Sequence, residues 1–245
     1  MNKPNYFDEL DAIHGKGTFE TKVEPIQSGI PISVFDFSKL TGLALLPSNS
    51  FLEIVGEKDT GKTSTALRIA GDAIHNGNTV AYVDVTGGFT SSYGNHLGIN
   101  IKKLLVNNVE TLEDLFTLCQ IYVENKVELV IIDSLAYLPM ERELASSFIE
   151  VTDDKELALA RLWEIKNKIQ PLKVGSTSFI FVSPKGSNLL TPFMDIIIET
   201  SVQKSIKKYG ELVGRKLNLK EIKNRIALSS KKREVNYNLF LPQEK

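Results

Sequence analysis

Short apolar runs alternate along this chain with segments of helical periodicity. FLEIV at 51–55 reads as a buried strand, and Thr63–Ile74 carries apolar residues at helical spacing. TVAYVDV at 79–85 is a second apolar run, ended by Gly87-Gly88 and followed by a short helix around Ser91–Leu97. Thr111, with Asp114 three residues later, forms a capping-box pattern ahead of Leu112, Leu115, Phe116, Leu118 and Cys119. VELVIID at 127–133 is apolar until its terminal acid, and Asp154 is placed to cap a helix over Lys155–Gln170 that Pro171 stops. Ser178–Ser183 and Met194–Ser201 are further apolar runs with no helix-length segment between them. Lys216–Ala227 and Val235–Leu241 read as a closing antiparallel pair. Strands alternating with helices predict an α/β fold, a mainly parallel twisted sheet with helices on both faces.

The segment before residue 31 follows a different pattern. Asn5–Ile13 is a short candidate helix, Gly15-Lys16-Gly17 breaks it, and Thr18–Glu24 reads as an extended arm leading to Pro25, Gly29 and Pro31. It holds too few apolar residues for a domain of its own. Two uses stay open, a contact on a neighbouring copy and a strap across its own core. Residues 1–30 are therefore expected as helix and arm, and 31–245 as one core.

Composition narrows the class. At 245 residues, 42% hydrophobic and 24% charged, the chain suits one α/β domain with a sizeable core. No apolar run approaches 18 residues, so no membrane span is expected, and MNKPNYFDELD lacks a secretory apolar region. The single Cys119 excludes an internal disulfide, and a reducing cytoplasmic setting is expected. Set among apolar helix positions, it reads as a core residue. The histidines, His14, His75 and His96, show no metal-ligand spacing. The net charge of −1 hides an asymmetry: residues 201–233 hold eleven Lys or Arg against Glu211 and Glu221. Such a basic face suits a phosphate-rich partner or an acidic face of a neighbouring copy, while a solvated lysine-rich strand pair explains it equally simply.

The chemistry centres on residues 51–70. Gly56 is followed by four residues and then Gly61-Lys62-Thr63, the spacing of a phosphate-binding loop set between strand and helix. The two glycines allow backbone angles that let successive N–H groups curl around a phosphate. Lys62 supplies a point charge, the Thr63 hydroxyl can ligate Mg²⁺, and the helix turns its positive end to the anion. Glu57 and Asp59 are tolerable there only if their side chains point outward. Asp133, at the end of its strand on the same sheet edge, can bind a water of that Mg²⁺, with Ser134 beside it.

These residues resemble the bacterial RecA recombinase family over most of the chain. LDAIHGKGTF at 10–19, VEPIQSG at 23–29, FLEIVGEKDTGKT at 51–63, AYVDVTGGFTSSYGNHLGINIKKLL at 81–105, VELVIIDSLAYLP at 127–139 and EIKNRIA at 221–227 are similar to family segments in the same order. The resemblance implies a RecA-like nucleotide-binding core using ATP and Mg²⁺. It places Gly56, Asp59, Thr60, Gly61, Lys62, Thr63 and Ser64 at the nucleotide, with Thr63 and Asp133 at the metal. Tyr93 falls where the family stacks a tyrosine on adenine. Lys223 and Arg225 fall on two cations that act in trans on a neighbour's ATP.

Departures from the family pattern change the expected activity. Thr86 stands at the position of the catalytic glutamate and cannot serve as a carboxylate base. Pro184 replaces a γ-phosphate-sensing glutamine, and the DNA-binding loop shrinks to Pro184–Phe193 with Lys185 as its cation. The other DNA-facing loop, near Met140–Val151, is more acidic than basic, and no counterpart of the family's separate C-terminal domain is expected. The expectation is a RecA-like recombination or repair protein that holds Mg-ATP with slow or no hydrolysis. It would assemble with itself or with a recombinase partner, and single-stranded DNA is a candidate ligand. Two alternatives stand beside it: an active DNA-dependent ATPase with Glu57 or Asp84 as substitute base, and a non-DNA scaffold using ATP as an assembly ligand. A small-molecule kinase is disfavoured, because no acceptor-lid segment precedes residue 200.

Overall fold

The computed structural model describes residues 28–146, 154–227 and 233–240. The expected helix at 5–13 and arm at 18–24 lie outside them. In chain order, β1 (Gly29–Ile30), α1 (Phe37–Thr41) and β2 (Leu46–Pro47) form a small entry unit whose two strands pair antiparallel. The main body follows as β3 (Phe51–Gly56), α2 (Lys62–His75), β4 (Val80–Asp84), α3 (Ser91–His96), β5 (Leu104–Asn107), α4 (Leu112–Glu124) and β6 (Leu129–Asp133). Then come α5 (Glu141–Ser146), α6 (Asp154–Ile169), β7 (Ser178–Pro184), β8 (Ile196–Lys208), β9 (Glu211–Asn224) and β10 (Glu234–Phe240).

Eight strands make one sheet in the order β10-β9-β8-β3-β7-β6-β4-β5. Strands β8, β3, β7, β6, β4 and β5 run parallel, and β9 and β10 close the sheet antiparallel. The fold is the α/β architecture expected, a mostly parallel sheet flanked by helices. Period-two alternation divides β3 between two cores. Leu52 and Ile54 join Leu67, Ile69 and Ala70 of α2, while Phe51 joins Leu115, Phe116 and Cys119 of α4 and Ile165 and Ile169 of α6. Phe51 meets Phe179 and Phe181 of β7 edge-on, with ring centroids 5.5 and 5.8 Å apart. Thr111 does cap α4, accepting from the Asp114 N–H at 3.1 Å. Cys119 is fully buried, and burial raises its thiol pKa, so it is a packing residue.

One boundary is corrected by long-range pairing. The Met194–Ser201 run is only the root of a strand that continues through polar residues to Lys208, turns at Tyr209-Gly210 and returns as Glu211–Asn224. The expected closing antiparallel pair is present as β9 and β10, and the lengthened β8 pairs antiparallel with β9 in turn. The polar half of β8 is held by its ladder with β9, not by burial. α6 runs Asp154–Ile169, and the side chain of Asp154, read as its cap, is outside the described residues. Among the described residues no helix is long and apolar enough to cross a membrane.

Candidate nucleotide site

Strand β3 lies between β7 and β8, hydrogen-bonded on both sides, and therefore presents its C-terminal end rigidly. There the chain leaves the sheet at Gly56. A Cβ at Gly56 would lie 2.6 Å from the hydroxyls of Thr60 and Thr200 and 2.7 Å from the Thr200 carbonyl, so only hydrogen fits. Asp59 and Gly61 both adopt left-handed angles, φ 60° and 84°, and these curl the loop into the start of α2. The side chains of Glu57 and Asp59 are exposed, so the loop's interior is backbone. Lys62 folds back and donates to the Glu57 carbonyl at 2.7 Å. Burial lowers its pKa, opposed by the carboxylates of Asp133, Asp59 and Glu57.

The first turn of α2 meets the ends of β4 and β6. Thr63 donates to Asp133 Oδ2 at 2.6 Å, and Tyr82 donates to the same oxygen at 3.1 Å. Burial raises the Asp133 pKa; the bonds from Thr63 and Tyr82 pull it back, Asp84 adds to the rise and Lys62 opposes it. Ser64 Oγ and the Tyr93 hydroxyl are 2.5 Å apart. Beside Thr63 lies a cavity of about 230 Å³ lined also by Leu67, Tyr82, Asp84, Phe89, Tyr93 and Asp133. A glycine cradle, a helix N-terminus, a lysine and paired hydroxyl and carboxylate oxygens fit a nucleotide phosphate with Mg²⁺, a hard cation that takes oxygen ligands. Gly56–Lys62 could hold phosphate, and Thr63 and Asp133 the metal, with Tyr93 lining the same cavity.

Thr86 lies on the rim of this cavity, exposed, and donates to Asp84 Oδ1 at 3.3 Å. Asp84 itself is committed to the following turn, accepting from the backbone of Gly88 at 3.3 Å and of Phe89 at 2.7 Å. Pro184 ends β7 level with Gly56, and the Lys185 ammonium is paired with Glu199 at 2.8 Å. The structure brings Gly56, Asp59, Thr60, Gly61, Lys62, Thr63, Ser64, Tyr93, Thr86 and Asp133 to one end of the sheet. It does not bring Lys223 and Arg225 there. Because β9 runs against β8, Lys223 lies opposite Ile197, beside Glu53 and Asp195, and its ammonium donates to the Thr191 carbonyl. The Arg225 N–H donates to the Asp195 carbonyl at 2.8 Å, and Asp195 in turn pairs with Phe51 at the far end of β3. Five residue steps along β3 separate that level from Gly56, about 17 Å, and three steps separate the Lys223 level from it, about 10 Å.

Residues not picked out from the sequence complete the loop's surroundings. Tyr82 could have been found, since alternation in β4 puts it on the α2 face. Thr200, Arg215 and Tyr237 carry no local signal: strand pairing brings the first two to the loop and Tyr237 to Thr65 of α2, each from more than a hundred residues away.

Comparison with known proteins agrees with this geometry. A family model described as the RecA N-terminal domain matches residues 10–182. "Protein RecA" of Ureaplasma parvum is 26% identical over 257 residues, covering 93% of this chain and 75% of that protein. "Protein RecA" of Enterococcus mundtii is 26% identical, covering 96% and 74%, and that of Legionella pneumophila 27% identical, covering 94% and 70%. With a family model spanning residues 10–182, well over half of its length, the chain belongs to the RecA family.

Proposed function

We propose that this chain is a RecA-like protein of DNA recombination or repair that binds Mg-ATP, hydrolyses it slowly or not at all, and uses it as an assembly ligand. The observation that carries this is the contrast within one cavity. Thr63 and Asp133 stand together at 2.6 Å beside an intact glycine cradle, while the rim position of the hydrolytic base is Thr86. Loss of a general base removes roughly 10²–10⁴ of rate and leaves cradle binding in place. Asp84 is a poor substitute base, because Thr86 and two backbone N–H groups already occupy its carboxylate. Glu57 is exposed on the outer side of the loop.

The cations Lys223 and Arg225 support assembly across a boundary. Neither faces the nucleotide cavity of its own subunit, so contact with ATP requires a neighbour, where charge-assisted hydrogen bonds would link nucleotide occupancy to association. The partner is a second copy or a recombinase of the same fold, working in the cytoplasm. Single-stranded DNA is a ligand for the basic strands, a role that the acidic α5 residue Glu141 and the paired Lys185 do not share.

The test is equilibrium binding of Mg-ATP together with phosphate release, with and without single-stranded DNA. We expect binding with release far below a recombinase's turnover, and Thr86→Glu should raise release by at least about tenfold. Turnover at ordinary recombinase rates in the unmodified chain would defeat the holding role. Failure to bind any nucleoside triphosphate would defeat the whole proposal.

A further inference from the structure

The phosphate-binding loop rests on the antiparallel strands as well as on the parallel sheet. Thr60 Oγ1 lies 2.9 Å from Thr200 Oγ1 of β8, and a Cβ on Gly61 would meet Leu217 Cδ1 of β9 at 2.5 Å. The third contact is charged: Arg215 of β9 donates a guanidinium N–H to the carbonyl of Asp59, the non-glycine residue held at φ 60°. Arg215 stands at a particular height. It lies opposite Ser205, five residues beyond the Thr200 that is level with Gly56, and opposite Leu239, next to the last paired residue of β10. One residue past it, after the Gly214–Phe240 pair, β8 and β9 continue as a ribbon with no further strand beside it among the described residues, up to the Tyr209-Gly210 turn, with Lys207, Lys208 and Tyr209 exposed. Two strands alone are marginal in water, so the order of such a ribbon depends on what fixes its root.

We propose that Arg215 is a positioning residue that couples the phosphate-binding loop to this basic ribbon, so that nucleotide binding orders the ribbon. The inference rests on the Mg-ATP reading given above. A bound triphosphate fixes the loop's N–H groups, and with them the outward-facing Asp59 carbonyl. The Arg215 bond then has a fixed acceptor, and the ribbon is anchored where β10 stops supporting it. The coupling is reciprocal by linkage: whatever binds and orders the ribbon lowers the cost of ordering the loop. Pro184 offers no side-chain hydrogen bond at the neighbouring strand end, which leaves Arg215 as a charged link from the loop to an exposed element.

Hydrogen–deuterium exchange of the full chain, with and without saturating Mg-ATP, tests this alongside calorimetric nucleotide affinity. In the wild type, ribbon amides over 206–214 should slow several-fold on nucleotide binding. Arg215→Ala should weaken Mg-ATP binding by roughly tenfold, the scale of one charge-assisted bond, and abolish ribbon slowing even at saturation. Arg215→Lys should restore part of both, and unchanged protection of β6 amides reports that each variant is folded. Equal ribbon slowing in Arg215→Ala and wild type overturns the coupling, as does a wild type that binds nucleotide with no change in the ribbon. A wild type that binds no Mg-ATP overturns the nucleotide reading itself, and this inference with it.

Discussion

Glu53 is a carboxylic acid inside the central strand, fully buried between Leu52 and Ile54 and next to Ser183 of β7. Burial raises its pKa above the ordinary 4.5, with the Ser183 hydroxyl and the Lys223 charge opposing. For an acid with a raised folded-state pKa, the neutral form's full stability is present below the unfolded value. It is lost as pH rises through the folded one. Glu53→Gln should therefore raise Tm by about 2–4 °C at pH 8, with the gain shrinking toward pH 4.5. A Gln variant less stable than wild type at pH 8 would mean that attraction between the ionised carboxylate and the Lys223 charge outweighs the cost of its burial. Gly56 makes the opposite case, a residue fixed by lack of room. Gly56→Ala should cost about 1–3 kcal/mol in urea unfolding and abolish Mg-ATP binding, because the Thr200 backbone cannot yield.

At the scale of elements, legibility followed the range of the interactions. β3, β4, β6 and β7 announced themselves as apolar runs because both of their faces are covered, and Thr111 announced α4 through a cap three residues from its partner. The loop from Gly56 to Thr63 was legible for the same reason, since its geometry is demanded residue by residue. The outer half of β8 was not: QKSIKK has no apolar alternation of its own and is a strand only because β9 lies beside it. Arg215 and Thr200 reach the loop through that same pairing, so their place in the site was invisible to local pattern. The cations were found by resemblance alone, and strand direction then set where they lie. Lys223→Ala together with Arg225→Ala should leave Mg-ATP affinity within about threefold of wild type while removing ATP-dependent growth in particle mass by light scattering. Loss of nucleotide binding in the isolated double variant would show that these residues serve their own subunit's pocket instead.

For the whole molecule, the reversal of the chain between β8 and β9 has a geometric corollary. The pocket and the cation pair sit at opposite ends of one sheet, so a junction that joins them is head-to-tail and cannot satisfy both partners as a twofold dimer. On the proposed assembly, each added subunit would expose the same free head and the same free tail, giving a directional series that ends only by closing into a ring or exhausting its subunits. Two kinds of defective subunit should then act as stoppers of opposite sense. A Lys62→Ala copy would block growth at one terminus and a Lys223→Ala copy at the other, each shortening wild-type particles when mixed in substoichiometric amounts. Equal mixtures of the two would recover one sound junction per pair and stop there.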